Sequence, residues 1–259
     1  MSTAREAIAQ FPTWYHTIEL PGGVVTPGLF DTRPAARKGL LPASLAGKRC
    51  LDVGTADGFW AFEMERRGAS EVITIDVADP SERDVTQEET KRPTKPAGLE
   101  SSRFSLARSL LGSEVEQRNL SIYDLAPEKV GTFDFVFVGA LLLHLRDPVL
   151  ALQAVRSVTG GEFCTYDAVS VWLSAFHPGK PSALLNGTTG SNWWLPNVAG
   201  LRRMVVAAGF EIVSTTGISF VKLSGGKRMV SRWLRHPLAN TMLWTRGVPH
   251  AWVLARPSQ

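Results

Sequence analysis

Arg49-Cys50-Leu51-Asp52-Val53-Gly54-Thr55-Ala56-Asp57-Gly58-Phe59-Trp60 is the stretch that decides the fold of this 259-residue chain. In it, a short apolar run ends in an acid, two glycines follow four residues apart, and a helical pattern begins after the second glycine. This order predicts a strand, a tight turn and a helix, because glycine accepts positive φ angles and lets the backbone lie against a ligand. Free N–H groups at the start of the helix attract anions, so the stretch predicts a nucleotide-type pocket. The missing third glycine argues against a dinucleotide fingerprint.

The run from Leu51 to Gly58 resembles motif I of the class I S-adenosylmethionine (SAM)-dependent methyltransferases. The resemblance implies a Rossmann-like α/β fold, a doubly wound seven-stranded sheet, with SAM as the cofactor and its methionine end on this loop. Ala56 departs from the family pattern, which has glycine at that position. The cofactor-binding residues implied on the loop are Asp52, Gly54, Thr55, Ala56 and Gly58.

Further cofactor contacts are expected at the ends of the next strands. The β-rich run Glu71–Asp76 ends in an acid at roughly the spacing of a ribose-binding carboxylate. In the family that motif I resembles, the end of the third strand reaches the adenine, which implies Asp124 near the adenine amino group with Tyr123 stacked or packed beside it. The remaining predicted cofactor contacts, at the ends of the second and fourth strands, are Val77 and Gly139.

Strands and helices alternate along the rest of the chain, which predicts a doubly wound sheet with its ligand at the carboxyl ends of the strands. Residues 133–138 form an almost continuous apolar run, as a strand buried on both faces should. Residues 77–102 are polar and show no periodic pattern, so they predict a long mobile loop that could act as a lid. We expect residues 1–40 to form an N-terminal flap and residues 41–259 to form the methyltransferase domain.

Composition excludes few functions. The chain is 44% hydrophobic and 20% charged, with a net charge of +4, a sequence pI of about 9.3 and a basic segment at residues 227–236. This charge is a weak indication of nucleic-acid binding. No export signal or membrane helix is recognisable, which predicts a cytoplasmic protein without membrane contact. Cys50 and Cys164 lie in apolar runs and predict reduced buried thiols, and no zinc-ligand spacing occurs, so no metal is expected.

Acceptor and catalytic residues are less clearly marked. Residues 170–200 are rich in aromatic side chains, and such apolar walls with a few polar groups are typical of small-molecule pockets. Methyl transfer to a hydroxyl needs a nearby base, for which His144 is the first candidate and Asp167 the second, with His16 and His177 as further candidates. The predicted substrate-binding residues are Trp14, His16, His177, Asn192, Trp193 and Trp194, although each aromatic residue could instead only pack.

A closer resemblance joins several of these segments. The N-terminal tryptophan with Asp31, the run His144–Pro148, and the run Asn192–Asn197 look like the tRNA wobble-uridine (5-carboxymethoxyuridine) methyltransferase family. That family uses carboxy-SAM, whose carboxylate meets a lysine just after the N-terminal tryptophan and a tyrosine before the histidine. Here uncharged or acidic residues stand near residues 18–20, and Leu143 stands at the tyrosine position. Because an unpaired buried carboxylate is costly, we expect ordinary SAM.

Three functions remain open from the sequence. The first is a SAM-dependent methyltransferase acting on a small molecule such as a sugar, glycoside or secondary metabolite, by O-methylation. The second is a methyltransferase acting on a uridine derivative of tRNA or another RNA, with phosphate contacts from the basic segment. The third is a SAM-binding protein without catalysis.

Overall fold

The computed structural model describes residues 4–11, 13–84, 86, 98–186, 191–224 and 246–259. Within these ranges the chain forms a mixed α/β structure around one large sheet. The strands are β1 Trp14–His16, β2 Glu19–Leu20, β3 Val24–Val25, β4 Gly28–Asp31, β5 Arg49–Val53, β6 Glu71–Asp76, β7 Glu116–Asn119, β8 Phe133–Gly139, β9 Thr159–Ala168, β10 Ala183–Leu185, β11 Trp194–Pro196, β12 Phe210–Thr215, β13 Ser219–Leu223 and β14 Val248–Pro257. The helices are α1 Ala4–Ala9, α2 Arg33–Ala35, α3 Phe59–Arg66, α4 Leu99–Leu111, α5 Pro127–Val130, α6 Pro148–Val158, α7 Val171–Phe176 and α8 Val198–Ala207.

Seven strands make up the centre of the sheet, in the order β7-β6-β5-β8-β9-β14-β12. The strands from β7 to β9 are parallel, and β14 runs antiparallel to both β9 and β12. The strand order reverses between β5 and β8, which is where doubly wound sheets bind their ligands. The predicted α/β fold class with a doubly wound sheet is confirmed.

The N-terminal residues continue this sheet at one edge. Strand β13 pairs with the first half of β14 and with β4, and β4 pairs in parallel with β1. In the described residues, the large sheet therefore has ten strands rather than seven. The division of the chain at residue 40 stays a prediction, but strands of the expected flap are hydrogen-bonded into the sheet.

The core lies on both faces of the central strands. Residues 135–138 of β8 are all 0% exposed, as the continuous apolar run predicted. One face packs on α6 and α8, where Phe163 and Phe210 stack with ring centroids 4.6 Å apart. The other face packs on α3, α4 and N-terminal residues, where Phe62 and Phe104 stack at 5.4 Å. Helices on both faces leave only the strand ends for a ligand.

Local signals set several helix ends. Asp147 accepts a hydrogen bond from the Leu150 N–H, with Pro148 at the first helical position, and Asn197 accepts one from the Gly200 N–H. The expected loop over residues 77–102 is wrong in part, because α4 already begins at Leu99 after Gly98. Residues 85 and 87–97 of that predicted loop lie outside the described part. Strand β7 ends at Asn119, before the Tyr123–Asp124 pair expected at the end of the third strand, and residues 122–124 form a 3-10 turn capped by the Ser121 hydroxyl.

Both cysteines are buried and reduced, as expected. Burial raises the pKa of the Cys50 thiol to about 12, so it is an inert thiol. In the ranges given above, no group of three or more His, Cys, Asp or Glu side chains is arranged to hold a metal ion. None of the described helices has both the length and the apolar character needed to cross a bilayer.

Candidate cofactor and acceptor site

The turn between β5 and α3 has the conformation that its glycines predicted. Gly54 and Gly58 have φ angles of 76° and 96°. A Cβ on Gly54 would lie 2.9 Å from a methyl group of Leu141, and one on Gly58 would lie 2.4 Å from the Phe62 ring. Ala56 also has a positive φ, 51°, which costs an L-residue roughly 1–2 kcal/mol. The loop therefore needs both glycines, and it adopts at Ala56 the conformation of the glycine that this sequence lacks.

Asp76 ties the end of β6 to this loop. Its Oδ2 accepts the Ala56 N–H at 3.1 Å, and its Oδ1 accepts the Val77 N–H at 2.8 Å. Burial raises the pKa of Asp76, the charge of Glu100 raises it further, and the guanidinium of Arg83 opposes both. The two segments predicted from sequence to hold the cofactor therefore meet directly.

Asp52 and Thr55 lie beneath the loop with exposed fractions of only 1% each. Asp52 Oδ2 and Thr55 Oγ1 make no well-aligned hydrogen bond within the described part of the chain, although the Thr55 hydroxyl is near enough to lower the pKa of Asp52. Burial raises the pKa of Asp52 to about 7. Unpaired buried polar atoms cost about 1–3 kcal/mol each, so this pocket is suited to a ligand that donates and accepts hydrogen bonds.

Asp57 holds the N-terminal strand on the cofactor loop. Its Oδ2 accepts the N–H groups of Tyr15 and His16 at 2.7 and 3.0 Å, and its Oδ1 lies 2.5 Å from His16 Nδ1. Neither Asp57 nor Tyr15 was predicted from the sequence to belong to the site. The sequence signal that could have identified Asp57 is its position: it is an acid inside a ligand-binding turn, and it is not the N-cap of the helix that follows.

The neighbouring aromatic residues differ in their surroundings. Burial and the charges of Asp167, Asp57 and Glu100 raise the pKa of the Tyr15 hydroxyl, so Tyr15 lies near acids of β9, the cofactor turn and α4. Trp14 is only 2% exposed and stacks edge-on against Phe11 at 6.0 Å. The structure thus places Trp14 in the core, beside the predicted acceptor residues rather than on an open wall.

Asp167, at the carboxyl end of β9, organises the loop that follows β8. Its Oδ2 accepts the N–H groups of Leu141 and Leu142 at 3.1 and 2.7 Å, and its Oδ1 accepts that of Ala168 at 2.9 Å. Burial raises the pKa of Asp167 to about 7, and these backbone hydrogen bonds oppose the shift. Since the Leu141 side chain contacts Gly54, Asp167 fixes this loop against the cofactor turn.

The aromatic segment lies along the same loop. The Trp193 N–H donates to the Leu143 carbonyl at 2.7 Å, and Trp194 Nε1 donates to the Arg146 carbonyl at 3.0 Å. His144 Nδ1 lies 2.7 Å from the Ser191 carbonyl oxygen. The predicted residues 144, 193 and 194 therefore come together, with the partly buried Asn192 between them in sequence.

Asp84 joins the cofactor side to the acceptor side. Its Oδ2 accepts the Tyr123 hydroxyl at 2.5 Å and the Arg146 N–H at 2.7 Å, while its carbonyl accepts Trp193 Nε1 at 2.7 Å. Tyr123 also accepts the Asp147 N–H at 3.1 Å, and the Arg146 guanidinium lies 4.9 Å from the Trp193 ring centroid. We call this group the Asp84 cluster: Asp84, Tyr123, Arg146, Asp147 and Trp193.

Two predicted residues lie apart from the others. The Asp124 side chain is 60% exposed, and its Oδ1 is 3.8 Å from Lys129 Nζ. His177 is exposed, and its carbonyl accepts Asn197 Nδ2 at 2.8 Å.

Gly139 ends β8 beside Trp60, where a Cβ would come within 3.3 Å of the indole nitrogen. The basic segment 227–236 lies outside the described residues. The assignment of all these side chains to cofactor, acceptor or catalysis stays a prediction.

Comparison with known proteins agrees with the architecture. Residues 31–215 match the profile of a methyltransferase domain family. A ubiquinone biosynthesis O-methyltransferase of Neisseria meningitidis serogroup C is 27% identical over 195 residues, which are 70% of this chain and 71% of that protein. A tRNA U34 carboxymethyltransferase of Ectopseudomonas mendocina is 27% identical over 199 residues, which are 74% of this chain and 53% of that protein.

A solved structure shows the same fold over the whole length. The N-terminal domain of EvdMO1, crystallised in the presence of SAH and D-fucose, superimposes with a TM-score of 0.61 at 16% identity, over 99% of this chain and 98% of that chain. The predicted resemblances, the enzyme class and the SAM cofactor are thereby confirmed.

Proposed function

Because the chain belongs to the methyltransferase domain family, we propose that it transfers the methyl group of SAM to a hydroxyl group of a small-molecule acceptor. A cytoplasmic location is part of this proposal. The residues of the site fit SAM. Asp52 Oδ2 and Thr55 Oγ1 are buried polar atoms still without a well-aligned hydrogen bond among the described residues, and Asp76 keeps lone pairs for ribose hydroxyls beside the two N–H groups that it already accepts. When bound, SAM supplies a methyl group on a positively charged sulfur.

The observation that carries this proposal is the attachment of the aromatic segment to the loop that follows β8. The aromatic segment is fastened at two points: the Trp193 N–H donates to Leu143, and the Ser170 N–H donates to Pro196, both at 2.7 Å. The partly buried rings of Trp193 and Trp194, which we call the aromatic roof, therefore lie close to the strand ends. Such a roof suits a cyclic acceptor of small size, whose apolar faces gain about 25 cal/mol for each Å² removed from water.

The named relative supports an oxygen atom as acceptor. The Neisseria protein is an O-methyltransferase, and its likeness extends over 70% of this chain. An oxygen acceptor must also lose a proton, and the site holds titratable side chains at the strand ends. Of these, His144 and Asp167 are the proton acceptors predicted from the sequence, and His16 is the further candidate.

A tRNA uridine is the second candidate acceptor. It is supported by the 27% identity to the tRNA U34 carboxymethyltransferase and by the net charge of +4. Against carboxy-SAM stands Leu143, an apolar side chain 8% exposed at the position where the tRNA family has tyrosine. If RNA is the acceptor here, we expect ordinary SAM to remain the donor.

The test is methyl transfer from SAM to a panel of catechols, phenols, monosaccharides and unmodified or modified tRNA, with product masses read by mass spectrometry. We expect a mass gain of one methyl group on an oxygen of a small cyclic acceptor. Modification confined to tRNA would reject the small-molecule proposal in favour of the second candidate. SAM binding without turnover of any acceptor would support the non-catalytic alternative.

A further inference from the structure

The pair formed by His16 and Asp57 joins the N-terminal strand to the cofactor loop. His16 Nδ1 and Asp57 Oδ1 are 2.5 Å apart, and the two side chains are 6% and 0% exposed. Since an ionised carboxylate can only accept, the ring proton of a neutral His16 is on Nδ1. The backbone N–H groups of Tyr15 and His16 hold the same carboxylate from the other side. The imidazole is therefore fixed both in orientation and in tautomer.

This leaves the second ring nitrogen, Nε2, as a hydrogen-bond acceptor. Within the described residues, Nε2 has no hydrogen-bond partner, and the ring packs between Tyr15 and Phe59 at centroid distances of 4.7 and 5.5 Å. Asp52 is the other acid that faces His16: burial raises the pKa of Asp52 to about 7, and the charge of His16 opposes this shift. The groups that face the ring are thus two acids, a phenol and an apolar ring.

The pair lies close to the strand ends where transfer must occur. Tyr15, adjacent to His16, faces Asp167 electrostatically, and Asp167 holds the loop whose Leu141 contacts Gly54. His16 itself is bonded to a residue of the cofactor turn. The pair therefore lies against the cofactor turn.

The other two candidates have weaker chemistry for accepting a proton. His144 Nδ1 meets the Ser191 carbonyl, a neutral group that stabilises an imidazolium less than a carboxylate does. Burial raises the pKa of Asp167 to about 7, but its carboxylate already accepts three backbone N–H groups, which leave few of its lone pairs for an acceptor hydroxyl. His16 combines a carboxylate partner with a second ring nitrogen that makes no hydrogen bond in the described residues.

We propose that His16 Nε2 is the general base of the reaction and that Asp57 is its positioning residue. This inference rests on the proposed transfer to a hydroxyl group. The acceptor oxygen forms a bond to the methyl carbon while the bond between that carbon and sulfur breaks, and its electron pair stays on sulfur. The hydroxyl proton moves to His16 Nε2, giving an imidazolium that Asp57 stabilises and that later releases the proton to water.

The test uses His16→Gln and Asp57→Asn in the full-length protein, with Asp134→Asn as a matched control far from the carboxyl ends of the strands. We expect His16→Gln to lower kcat by roughly 10²-fold or more and to abolish the fall of kcat/KM at acid pH. Asp57→Asn should lower kcat by at least about tenfold and shift the acid limb, as expected when a carboxylate partner of an imidazole is lost. Calorimetry should show affinity for S-adenosylhomocysteine within about threefold of wild type for the His16 variant, which shows that it is folded.

The proposal would be overturned if the kcat of His16→Gln stayed within about threefold of wild type, or if its kcat/KM still fell at acid pH as in wild type. A loss of kcat confined to His144→Gln would assign the general base to His144. If the acceptor panel yields no product, the failure belongs to the proposed function. Nitrogen NMR of the histidine rings in the S-adenosylhomocysteine complex then tests His16 directly. We expect the neutral ring to carry its proton on Nδ1, with Nε2 as the acceptor, and a neutral ring with its proton on Nε2 would overturn the inference.

Discussion

The cofactor half and the acceptor half of the site are built in different ways. The cofactor half is one continuous segment, from β5 through the turn and α3 to Asp76, and its key contact joins Ala56 to Asp76. The acceptor half is assembled from remote segments that meet in the Asp84 cluster, at Asp167 and at the His16–Asp57 pair. The first half depends on backbone conformation. The second depends on individual side-chain hydrogen bonds, each of which contributes about 0.5–1.5 kcal/mol.

This difference teaches where each half is vulnerable. A change of backbone conformation in the turn should abolish cofactor binding and weaken the fold, because the turn connects β5 directly to α3 and sets the position of both. A change in the acceptor half should alter acceptor binding or rate and leave cofactor affinity close to wild type. Substitutions in each half can test that separation.

The largest effect is expected from Gly58→Ala. The new Cβ would lie 2.4 and 2.8 Å from the rings of Phe62 and Phe104. Alanine would also be strained at the φ of 96° that Gly58 adopts. We expect no measurable SAM binding by calorimetry and a loss of at least about 3 kcal/mol in the free energy of unfolding. Gly112→Ala is the matched control, since Gly112 has a positive φ but a Cβ there would meet no atom within 4 Å. Equal losses for both variants would mean that strain, not crowding, is responsible.

The next largest effect is expected from Asp76→Ala. The variant loses the carboxylate predicted to bind the ribose hydroxyls, together with its bond to the Ala56 N–H. We expect SAM affinity to fall about a hundredfold, equivalent to roughly 2–3 kcal/mol. Asp79→Ala is the control, because Asp79 is exposed and, within the described ranges, its carboxylate accepts from the nearby Ser81 N–H alone. Calorimetric affinity within about threefold of wild type would remove Asp76 from the cofactor site.

A smaller effect, in the acceptor half, is expected from Asp84→Ala. This change removes the acceptor for the Tyr123 hydroxyl and the Arg146 N–H but keeps the carbonyl that accepts Trp193 Nε1, so the Asp84 cluster is loosened rather than separated. We expect the KM for the acceptor to rise about tenfold, with SAM affinity within about threefold of wild type. Steady-state kinetics and calorimetry measure the two quantities. An equal weakening of acceptor binding and SAM binding would show that the two halves act as one unit.

The smallest effect is expected from Ala56→Gly. Glycine relieves the positive φ of 51°, worth roughly 1–2 kcal/mol, but its freer unfolded chain offsets about 0.4–1 kcal/mol of that gain. The net result should be a slightly higher Tm by calorimetry, with SAM affinity unchanged or improved. A clear loss of stability would mean that the Ala56 methyl group makes contacts that outweigh its strain.

Much of the fold and the cofactor half could be predicted from the chain alone. A glycine with positive φ, an acid at the end of a β-rich run and a buried apolar strand are each signalled by neighbouring residues, so Gly54, Asp76 and residues 133–138 lie where they were expected. Even the caps at Asp147 and Asn197 are local features. Such signals are readable because the physics that produces them acts over a few residues.

The acceptor half was decided only by tertiary structure. The sequence marked His16, His144, Trp193 and Trp194 as candidates, but it indicated no partner for any of them. No local signal marks the partners of Asp57 and Asp84, since their bonds reach residues 41 and 39 positions away. The exposed position of Asp124 likewise follows from the early end of β7 and the 3-10 turn after it. Hydrogen bonds between remote segments form only once the sheet brings them together, and no pattern of neighbouring residues encodes them.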